Sequence, residues 1–414
     1  MAGADRVADN RAPLDWLSFL LADVKDGIGP FLAVFLTSAR HWNAGQAGLV
    51  LTVGGLATVL ARAPAGALVD ALRAKRSLIA AAAAAVALAA MVMARWPLLW
   101  PVLLAQAVNG VADAVFPAAV AAISLGLVGR ARFTARVGRN EAFNHAGNVA
   151  TAIAAGLAGG FVAPGAVLWI VAVLALLTLP PLLAIRARDI DHATARGADD
   201  GAPGRHDPEA LRALLGDPVL RGFIAAITLF HFANAAMLPL LGEKLAATGR
   251  QDGALFIAAC IITAQAAMVP MAILVGRRAD AWGRRRLFLV GFAVLPVRGV
   301  LYTLVQDPVA LVAIQLLDGV GAGIFGALFF IVMADLTEGT GRYNLAQGVA
   351  AAAWGLGAAL SNAVAGEIVN GFGYDAAFLV LAGCAAGALL LFWRVVPETQ
   401  GWARRRAVVL PPAG

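Results

Sequence analysis

Twelve apolar segments, each close to the length that crosses a bilayer as a helix, follow one another along this chain with few residues between most of them. A helix needs roughly 20 apolar residues to cross the hydrocarbon core. The spacing therefore predicts an all-α integral membrane protein. The predicted spans cover residues 14–37, 46–65, 77–94, 98–128, 139–163, 165–185, 219–242, 253–275, 287–305, 308–334, 346–371 and 375–396.

The composition favours the same class. Hydrophobic residues make up 61 % of the chain and charged residues only 14 %, whereas a soluble domain has roughly 25 % charged residues. We expect no signal peptide, because the first apolar segment is long and charged in its middle. Cys260 and Cys384 lie in apolar segments, so we interpret them as core residues and not as a disulfide or a metal site.

One long polar loop divides the spans into two sets of six. It runs from Arg186 to Asp217 and is rich in Gly, Asp and Pro, which favours flexibility. Its end, PEALRALLGDP, can form a short amphipathic helix on the membrane surface. We predict an N-terminal six-helix bundle over residues 1–186, a cytoplasmic central loop over 187–217 and a C-terminal six-helix bundle over 218–414.

Basic residues collect in alternate loops. Clusters follow the even-numbered spans, whereas the opposite loops hold only Arg40, Arg95, Lys244 and Arg250. By the positive-inside rule, both termini and the long loop are predicted to be cytoplasmic, in a bacterial-type inner membrane. The net charge of +7 is then an orientation signal that faces anionic lipid, and not a nucleic-acid footprint.

The two halves of the chain resemble each other at an offset of about 210 residues. Gly66 and Asp70 after the second span correspond to Gly276 and Asp280 after the eighth, and basic residues follow both copies. Several polar positions agree in nearly one register, which predicts pseudo-symmetric halves. In the fourth and tenth spans, Gln106, Asn109, Gly110 and Phe116 correspond to Gln315, Asp318, Gly319 and Phe325.

The six-span halves, the long central loop and the repeated Gly-x-x-x-Asp pattern with basic residues resemble the major facilitator superfamily of secondary transporters. The second copy, GRRADAWGRRR, is the closer match to that family's loop signature, and the ending Pro397-Glu398-Thr399 is similar to the tail of many members. The resemblance implies twelve transmembrane helices in two pseudo-symmetric six-helix bundles, which rock about a central site near mid-membrane.

The resemblance also implies gating roles in the repeated loops, where an Asp caps a helix start and joins a charge network that locks one state. An ordinary helix cap without a gating role is the alternative. The implied gating residues are Gly66, Asp70, Gly276, Asp280 and Arg284.

Two features depart from the proton-coupled drug exporters of that family. Gln106 and Asn109 occupy the positions of an Arg and a Gln in the fourth span. The fifth span contains GLAGGFVAPG in place of the full antiporter motif. Drug export is therefore not carried over from the resemblance.

Polar residues within the predicted spans are the candidate site, because a charge at mid-bilayer depth costs about 2.5–3.5 kcal/mol on insertion scales. Asp23 and Asp26 share one helix face in the first span, and Lys25 lies between them. Two carboxylates so close are not expected both to be ionised, which would permit proton–substrate exchange. The alternative is that the cluster only holds helices together.

Other spans add polar stripes. Glu141 and His145 begin a stripe on the fifth span, and Arg298 lies in the ninth. Arg298 either binds an anionic substrate group or neutralises a carboxylate such as Asp318. The predicted proton-coupling or substrate residues are Asp23, Lys25, Asp26, Gln106, Asn109, Asp113, Glu141, Asn144, His145, Asn148, His231, Asn234, Arg298, Gln315 and Asp318.

These features predict a proton-coupled secondary transporter that works by alternating access and exports a small organic metabolite or drug-like compound. The sequence has no metal-ligand spacing and no phosphate loop, so we expect no enzyme activity, cofactor or nucleic-acid partner. The expected partners are a small-molecule substrate, protons and membrane lipid, and the expected state is a monomer. The alternatives are an importer of an anionic solute that uses Lys25 and Arg298, and a non-transporting membrane sensor.

Overall fold

The computed structural model describes residues 2–26, 28–192, 194–196, 216–247, 253–337 and 343–400, and the side chains of Asp23, Lys25, Asp26 and Asp70 lie outside the described residues. Most of the predicted amphipathic helix in the central loop also lies outside them. The described part is helical and contains no strand, so the all-α prediction is confirmed.

The α-helices follow the predicted spans in order. They are α1 (Ala2–Asp26), α2 (Ile28–Val34), α3 (Ala44–Ala71), α4 (Lys75–Arg95), α5 (Leu99–Val128), α6 (Arg130–Phe161), α7 (Ala166–Leu177), α8 (Leu179–Ala184), α9 (Pro218–Ala235), α10 (Met237–Ala247), α11 (Gly253–Trp282), α12 (Arg284–Leu304), α13 (Pro308–Thr337), α14 (Tyr343–Phe372) and α15 (Tyr374–Val395). A π-helical turn, Phe35–Ala39, follows α2, and 3-10 turns cover Ala187–Asp189 and Thr194–Arg196.

Within the described residues, ten helical stretches are long and apolar enough to cross a membrane. The helices α7 and α8 form one such stretch, and α9 and α10 form another. The predicted spans 14–37 and 139–163 are not among the ten, although α1, α2 and α6 cover most of their described residues. The stretch 144–161 of α6 has no charged residue, but Asn144, His145 and Asn148 lower its mean hydropathy. The helix begins at Arg130, nine residues before the predicted start.

The helices divide into two compact units. The first unit comprises Met1–Pro203 and Gly242–Ala259, and the second comprises Gly204–Leu241 and Cys260–Gly414. In the first unit α3 packs on α5, α1 on α6, and α4 on α5 and α7. In the second unit α12 packs on α13 and α15, and α9 on α14 and α15. The domain boundaries proposed from the sequence stay a prediction.

One glycine contact recurs in both units. A Cβ atom added to Gly110 of α5 would lie 2.2 Å from the carbonyl oxygen of Gly54 in α3. A Cβ atom added to Gly319 of α13 would lie 2.2 Å from the carbonyl oxygen of Ala264 in α11. Both partners of the second contact are displaced along the chain by about 210 residues, which is the offset of the sequence repeat.

A second glycine contact repeats at the same offset. A Cβ atom on Gly147 of α6 would lie 2.1 Å from the carbonyl oxygen of Phe19 in α1, and one on Gly357 of α14 would lie 2.7 Å from that of Thr228 in α9. Small residues let membrane helices approach closely, where packing rather than hydrophobic burial drives association. The internal repeat is therefore present as two pairs of equivalent helix crossings.

Candidate functional site

A buried polar cluster joins α9, α12 and α13 in the second unit. Arg298 of α12 is only 3 % exposed and forms an ion pair with Asp318 of α13. Its second terminal nitrogen donates to the side-chain oxygen of Asn234 in α9. Three residues that the sequence analysis placed in three separate spans thus meet at one guanidinium group.

A cavity of about 100 Å³ opens beside this cluster. Its polar lining consists of His231, Asn234, Arg298 and Asp318, and Phe325 contributes to the apolar part. The Asp318 side chain is 23 % exposed, whereas that of Arg298 is 3 % exposed. The carboxylate is therefore the charged partner that a small molecule or water in the cavity can reach.

The ring of His231 is held in one orientation. Its Nδ1 atom lies 2.9 Å from the carbonyl oxygen of Ile227. Because a carbonyl oxygen only accepts, Nδ1 donates, and the Nε2 atom of the neutral ring is then the hydrogen-bond acceptor. The imidazole stacks on Trp354 with ring centroids 5.1 Å apart and meets Phe325 edge-on at 4.6 Å.

Behind the ion pair, Gln315 is fully buried and donates to the hydroxyl oxygen of Tyr302 at 2.6 Å. The ring of Tyr302 lies 5.8 Å from the guanidinium carbon of Arg298. Gln315, a predicted site residue, is not among the residues that line the cavity. Tyr302 was missed by the sequence analysis, although it lies four residues after Arg298 on the same helix, and its hydrogen-bond partner Gln315 lies on the next span.

The first unit has two amide side chains, Gln106 and Asn109, at the positions that correspond to Gln315 and Asp318 of the second unit. Asn109 donates to the side-chain oxygen of Gln106 at 3.0 Å, and Asp113 on the same helix is half-buried. Three side-chain atoms here are buried without a hydrogen-bond partner: Oδ1 of Asn109, Nδ1 of His145 and Oδ1 of Asn148. Buried polar atoms normally find partners, so these are positions where water or a ligand can bind.

A second cavity, of about 120 Å³, lies among α1, α5 and α6. Its polar lining consists of Ser18, Asn140, Glu141 and Asn144. Glu141 is exposed, and the hydroxyl of Ser18 is buried without a partner. Glu141 and Asn144 therefore lie together at this cavity, and the predicted site residues Asp23, Lys25 and Asp26 lie outside the described side chains.

An ion cluster that the sequence analysis missed lies next to this second cavity. Asp15 of α1 is 4 % exposed and accepts from Arg136 and Arg139 of α6, each at 2.6 Å. Asn140 accepts from Arg136 at 2.8 Å and donates to Ser124 of α5 at 3.0 Å. The two arginines had been counted only as orientation charges. Arg136 and Arg139 are three residues apart and therefore share a helix face, and this spacing could have indicated a common acidic partner.

The repeated loop of the second unit forms a charge network. Arg284 pairs with Asp335 of α13 and, at 3.2 Å, with Asp280, whose side chain is 81 % exposed. Glu398 accepts from the backbone nitrogens of Arg284 and Arg285 at 3.1 and 3.2 Å. The capping role that the resemblance implied for Asp280 is thus taken by Glu398, which also suits the positive end of the α12 dipole.

The other gating positions have simpler surroundings. A Cβ atom added to Gly66 or Gly276 would meet nothing within 4 Å, so neither glycine is required by packing in this structure. Thr399, of the Pro-Glu-Thr ending, donates to Asp335 at 2.9 Å. Asp335 therefore joins the tail to Arg284, and the sequence analysis did not single it out.

Asp335→Asn is expected to lower the free energy of unfolding by about 1.5–3 kcal/mol, because it weakens a half-buried hydrogen bond between charged groups. Asp280→Asn is expected to cost less than about 1 kcal/mol, because exposed ion pairs contribute little. Unfolding of both purified variants in detergent compares them directly. Equal losses would place Asp280 and not Asp335 at the centre of the network.

Comparison with known proteins agrees with this architecture. The model of the Major Facilitator Superfamily matches residues 16–275 and 232–411. Two relatives from Mycobacterium tuberculosis, the uncharacterized MFS-type transporters MT2531 of strain CDC 1551 / Oshkosh and Rv2456c of strain ATCC 25618 / H37Rv, are each 50 % identical over 388 residues. Each match covers 93 % of this chain and 93 % of the relative.

The fold is also that of solved transporter structures. The nucleoside transporter NupG aligns with a TM-score of 0.77 at 15 % identity, over 94 % of this chain and 99 % of that one. A mutant of NupG aligns with a TM-score of 0.79 at 16 % identity, over 94 % of this chain and 100 % of that one. The predicted fold class, a membrane protein of two pseudo-symmetric helical bundles, is confirmed. The chain belongs to the Major Facilitator Superfamily, a family of membrane transporters and not of enzymes.

Proposed function

We propose that this protein is a proton-coupled secondary transporter that exports a small organic compound by alternating access. The observation that carries the proposal is the Arg298–Asp318 pair beside the cavity of the second unit. Ionisable residues inside membrane spans are rare, costly and usually tied to a transport pathway. Here a carboxylate that lines the cavity and is 23 % exposed forms an ion pair with an arginine that is only 3 % exposed.

Coupling follows from competition for that carboxylate. Asp318 can bind Arg298 as an anion or take up a proton, and a proton on Asp318 weakens the ion pair. A substrate that binds in the cavity then competes with the proton for the same group. The carboxylates Asp23 and Asp26, with His145 and Glu141, remain the proposed second place where protons bind.

The cavity suits a neutral ring-bearing solute better than a bare anion. Arg298 is already engaged by Asp318 and Asn234, so it is a poor receptor for a further negative charge. His231 offers an acceptor, and Phe230 and Phe325 offer aromatic faces and edges. The importer of anionic solutes, which would use Lys25 and Arg298, is therefore the less favoured function, because it needs Arg298 free of other partners.

Nucleosides are the first compounds to test. They join a flat heterocycle to hydrogen-bonding hydroxyl groups, which are the two kinds of group that this cavity can contact. The structures of NupG, which share the fold, are of a nucleoside transporter. At 15–16 % identity this likeness extends to the fold alone, so the compound library must also include other aromatic metabolites and drug-like amines.

The proposed orientation follows from the loop charges. Both termini and the central loop are placed in the cytoplasm of a bacterial-type inner membrane, with a monomer as the working unit. The basic loops after the even-numbered spans support this orientation, since short basic loops are retained on the cytoplasmic side.

Asp318→Asn is expected to abolish solute movement driven by a pH gradient while exchange of solute for solute continues. The amide resembles the protonated acid in shape but cannot bind or release a proton. Purified protein in proteoliposomes, with an imposed pH gradient and radiolabelled nucleosides, measures both activities. Export coupled to protons predicts that solute moves against the proton flow.

Glu367→Gln is the matched control, because Glu367 is an exposed carboxylate on a helix of the same unit. It is expected to behave as wild type in both assays. Gradient-driven movement in Asp318→Asn at the wild-type rate would exclude Asp318 as the coupling group. A wild-type protein that moves no solute in either assay would favour the sensor.

A further inference from the structure

Glu243 is the most deeply buried carboxylic acid in the described part of the chain, at 2 % exposure. It lies on α10, within the apolar stretch from Pro218 to Ala247. One of its carboxyl oxygens is buried and has no hydrogen-bond partner. The sequence analysis ended the seventh span at residue 242 and so did not consider it.

Asp15 shows how this chain treats a buried carboxylate that is ionised. Asp15 is 4 % exposed and is met by two arginines at 2.6 Å. Glu243 is more buried, yet none of the described residues forms an ion pair with it. An ionised carboxylate without a partner is very costly in an apolar environment, so such a group takes up a proton instead. The burial of Glu243 and its unpartnered oxygen therefore favour the protonated form of its carboxyl group.

The segment around Glu243 is tightly packed. A Cβ atom on the preceding Gly242 would lie 2.6 Å from Ile257 and 2.8 Å from Val34 of α2. The first compact unit includes Gly242–Ala259, and residues 254–258 of it lie against the end of α6. A Cβ atom on Gly159 of α6 would lie 2.3 Å from that of Ala254. The helices therefore lie in close contact on both sides of this segment, and the Glu243 side chain beside them is 2 % exposed.

The charged groups on the packed elements do not neutralise Glu243. On its own helix the nearest is Lys244, which has interactions of its own. After α2 come Arg40, which lies over the Phe35 ring at 5.3 Å, and the exposed His41. The end of α6 and the start of α11 carry no charged residue in the contacting stretches 149–161 and 253–259.

A cavity gives water a route to this region. It has a volume of about 500 Å³ and is lined by Val34, Ser38, Ala246, Gly253 and residues 159–164, among others. Ala246 lies one helical turn beyond Glu243, so the cavity reaches the same side of α10. A displacement of residues 242–247 and 253–259 from α2 and α6 would connect this cavity with the carboxyl.

We propose that Glu243 is a proton-binding site of the transport cycle. It holds its proton while residues 242–247 and 253–259 are packed on α2 and α6, and it releases the proton to water when these residues separate from those helices, leaving a hydrated carboxylate. This role adds a second titrating group to the coupling proposed for Asp318, and it rests on that proposal for its part in transport. The proton binding itself can be tested without any substrate.

Infrared spectroscopy of the purified full-length protein at neutral pH tests the protonated state. The wild-type spectrum is expected to contain the carbonyl band of a protonated carboxyl group, and Glu243→Gln is expected to lose that band. Glu367→Gln, which removes an exposed carboxylate, is expected to keep it. An unchanged band in Glu243→Gln overturns the proposal. If that variant does not fold, Glu243→Asp is measured instead. It keeps a carboxyl group, so the band is expected to shift, and an unshifted band also overturns the proposal.

Hydrogen exchange tests whether release of the Glu243 proton is linked to separation of the packed helices. As the pH is raised, peptides from residues 242–247 and 253–259 are expected to exchange faster in wild type than in Glu243→Gln measured at the same pH. Identical exchange in both proteins at every pH overturns the link. Neither measurement uses a solute or a gradient, so a wild-type protein that fails to couple transport to protons counts against the proposed function alone.

Discussion

Replacing Arg298 by methionine is expected to lower the free energy of unfolding by about 3–5 kcal/mol, because removing one partner of a buried ion pair leaves the other charge unpaired. Arg298 is 3 % exposed and serves both Asp318 and Asn234, so the loss affects three helices at once. Unfolding of the purified variant in detergent, followed by intrinsic fluorescence and denaturant titration, measures the loss.

The double variant Arg298→Met with Asp318→Leu separates charge from packing. Apolar residues of similar volume often replace a buried ion pair without loss of stability. We therefore expect the double variant to recover most of the stability lost in the single variant, while solute transport stays absent. A double variant that is as unstable as Arg298→Met would show that the guanidinium is needed for its packing against Tyr302 and Met237 rather than for its charge.

Gly319→Ala is expected to destabilise the second unit by about 1–3 kcal/mol, the usual range for overpacking. The new methyl carbon would lie 2.2 Å from the carbonyl oxygen of Ala264 and 2.6 Å from the Cβ atom of Ala267. Neither atom can turn away as the end of a flexible side chain can, so the two helices must separate. The separation would also displace Asp318, the neighbouring residue, and transport is expected to fall with stability.

Gly326→Ala on the same helix is the matched control. A Cβ atom at Gly326 would meet nothing within 4 Å. Alanine is favoured over glycine in helices by up to about 1 kcal/mol, so this variant is expected to be as stable as wild type or slightly more stable. The test is whether the two substitutions change the free energy of unfolding in opposite directions. A Gly319→Ala variant that is more stable than wild type would contradict the close contact between α11 and α13.

The internal repeat conserves helix crossings but not chemistry. Gln106 and Asn109 of the first unit correspond to Gln315 and Asp318 of the second. In the first unit the two side chains bond to each other, whereas in the second they bond to Tyr302 and Arg298. The same positions thus supply an amide pair in one unit and part of an ion pair in the other.

The sequence by itself determined the helices, the repeat and the family. These features depend on local composition, because the length of an apolar segment, the spacing of glycines and the charge of a loop can each be read from a few tens of residues. The glycines Gly110 and Gly319 were matched from the sequence before any contact was known, and both lie at close crossings. Helix boundaries were less accurate at charged ends, where α6 begins earlier and α10 ends later than predicted.

Only the tertiary structure decided which polar residues are partners. Asp15 and Arg136 are 121 residues apart in the chain, and Glu398 and Arg284 are 114 apart. No local pattern identifies such pairs, since an arginine in a span can meet a carboxylate on any neighbouring helix. Burial is also decided by packing: Glu243 lies just past a predicted span end, yet it is 2 % exposed, and the neighbouring Gly242 lies close to α2 and α11. Charge position is local in the sequence, whereas charge pairing and solvent exclusion are properties of the assembled helices.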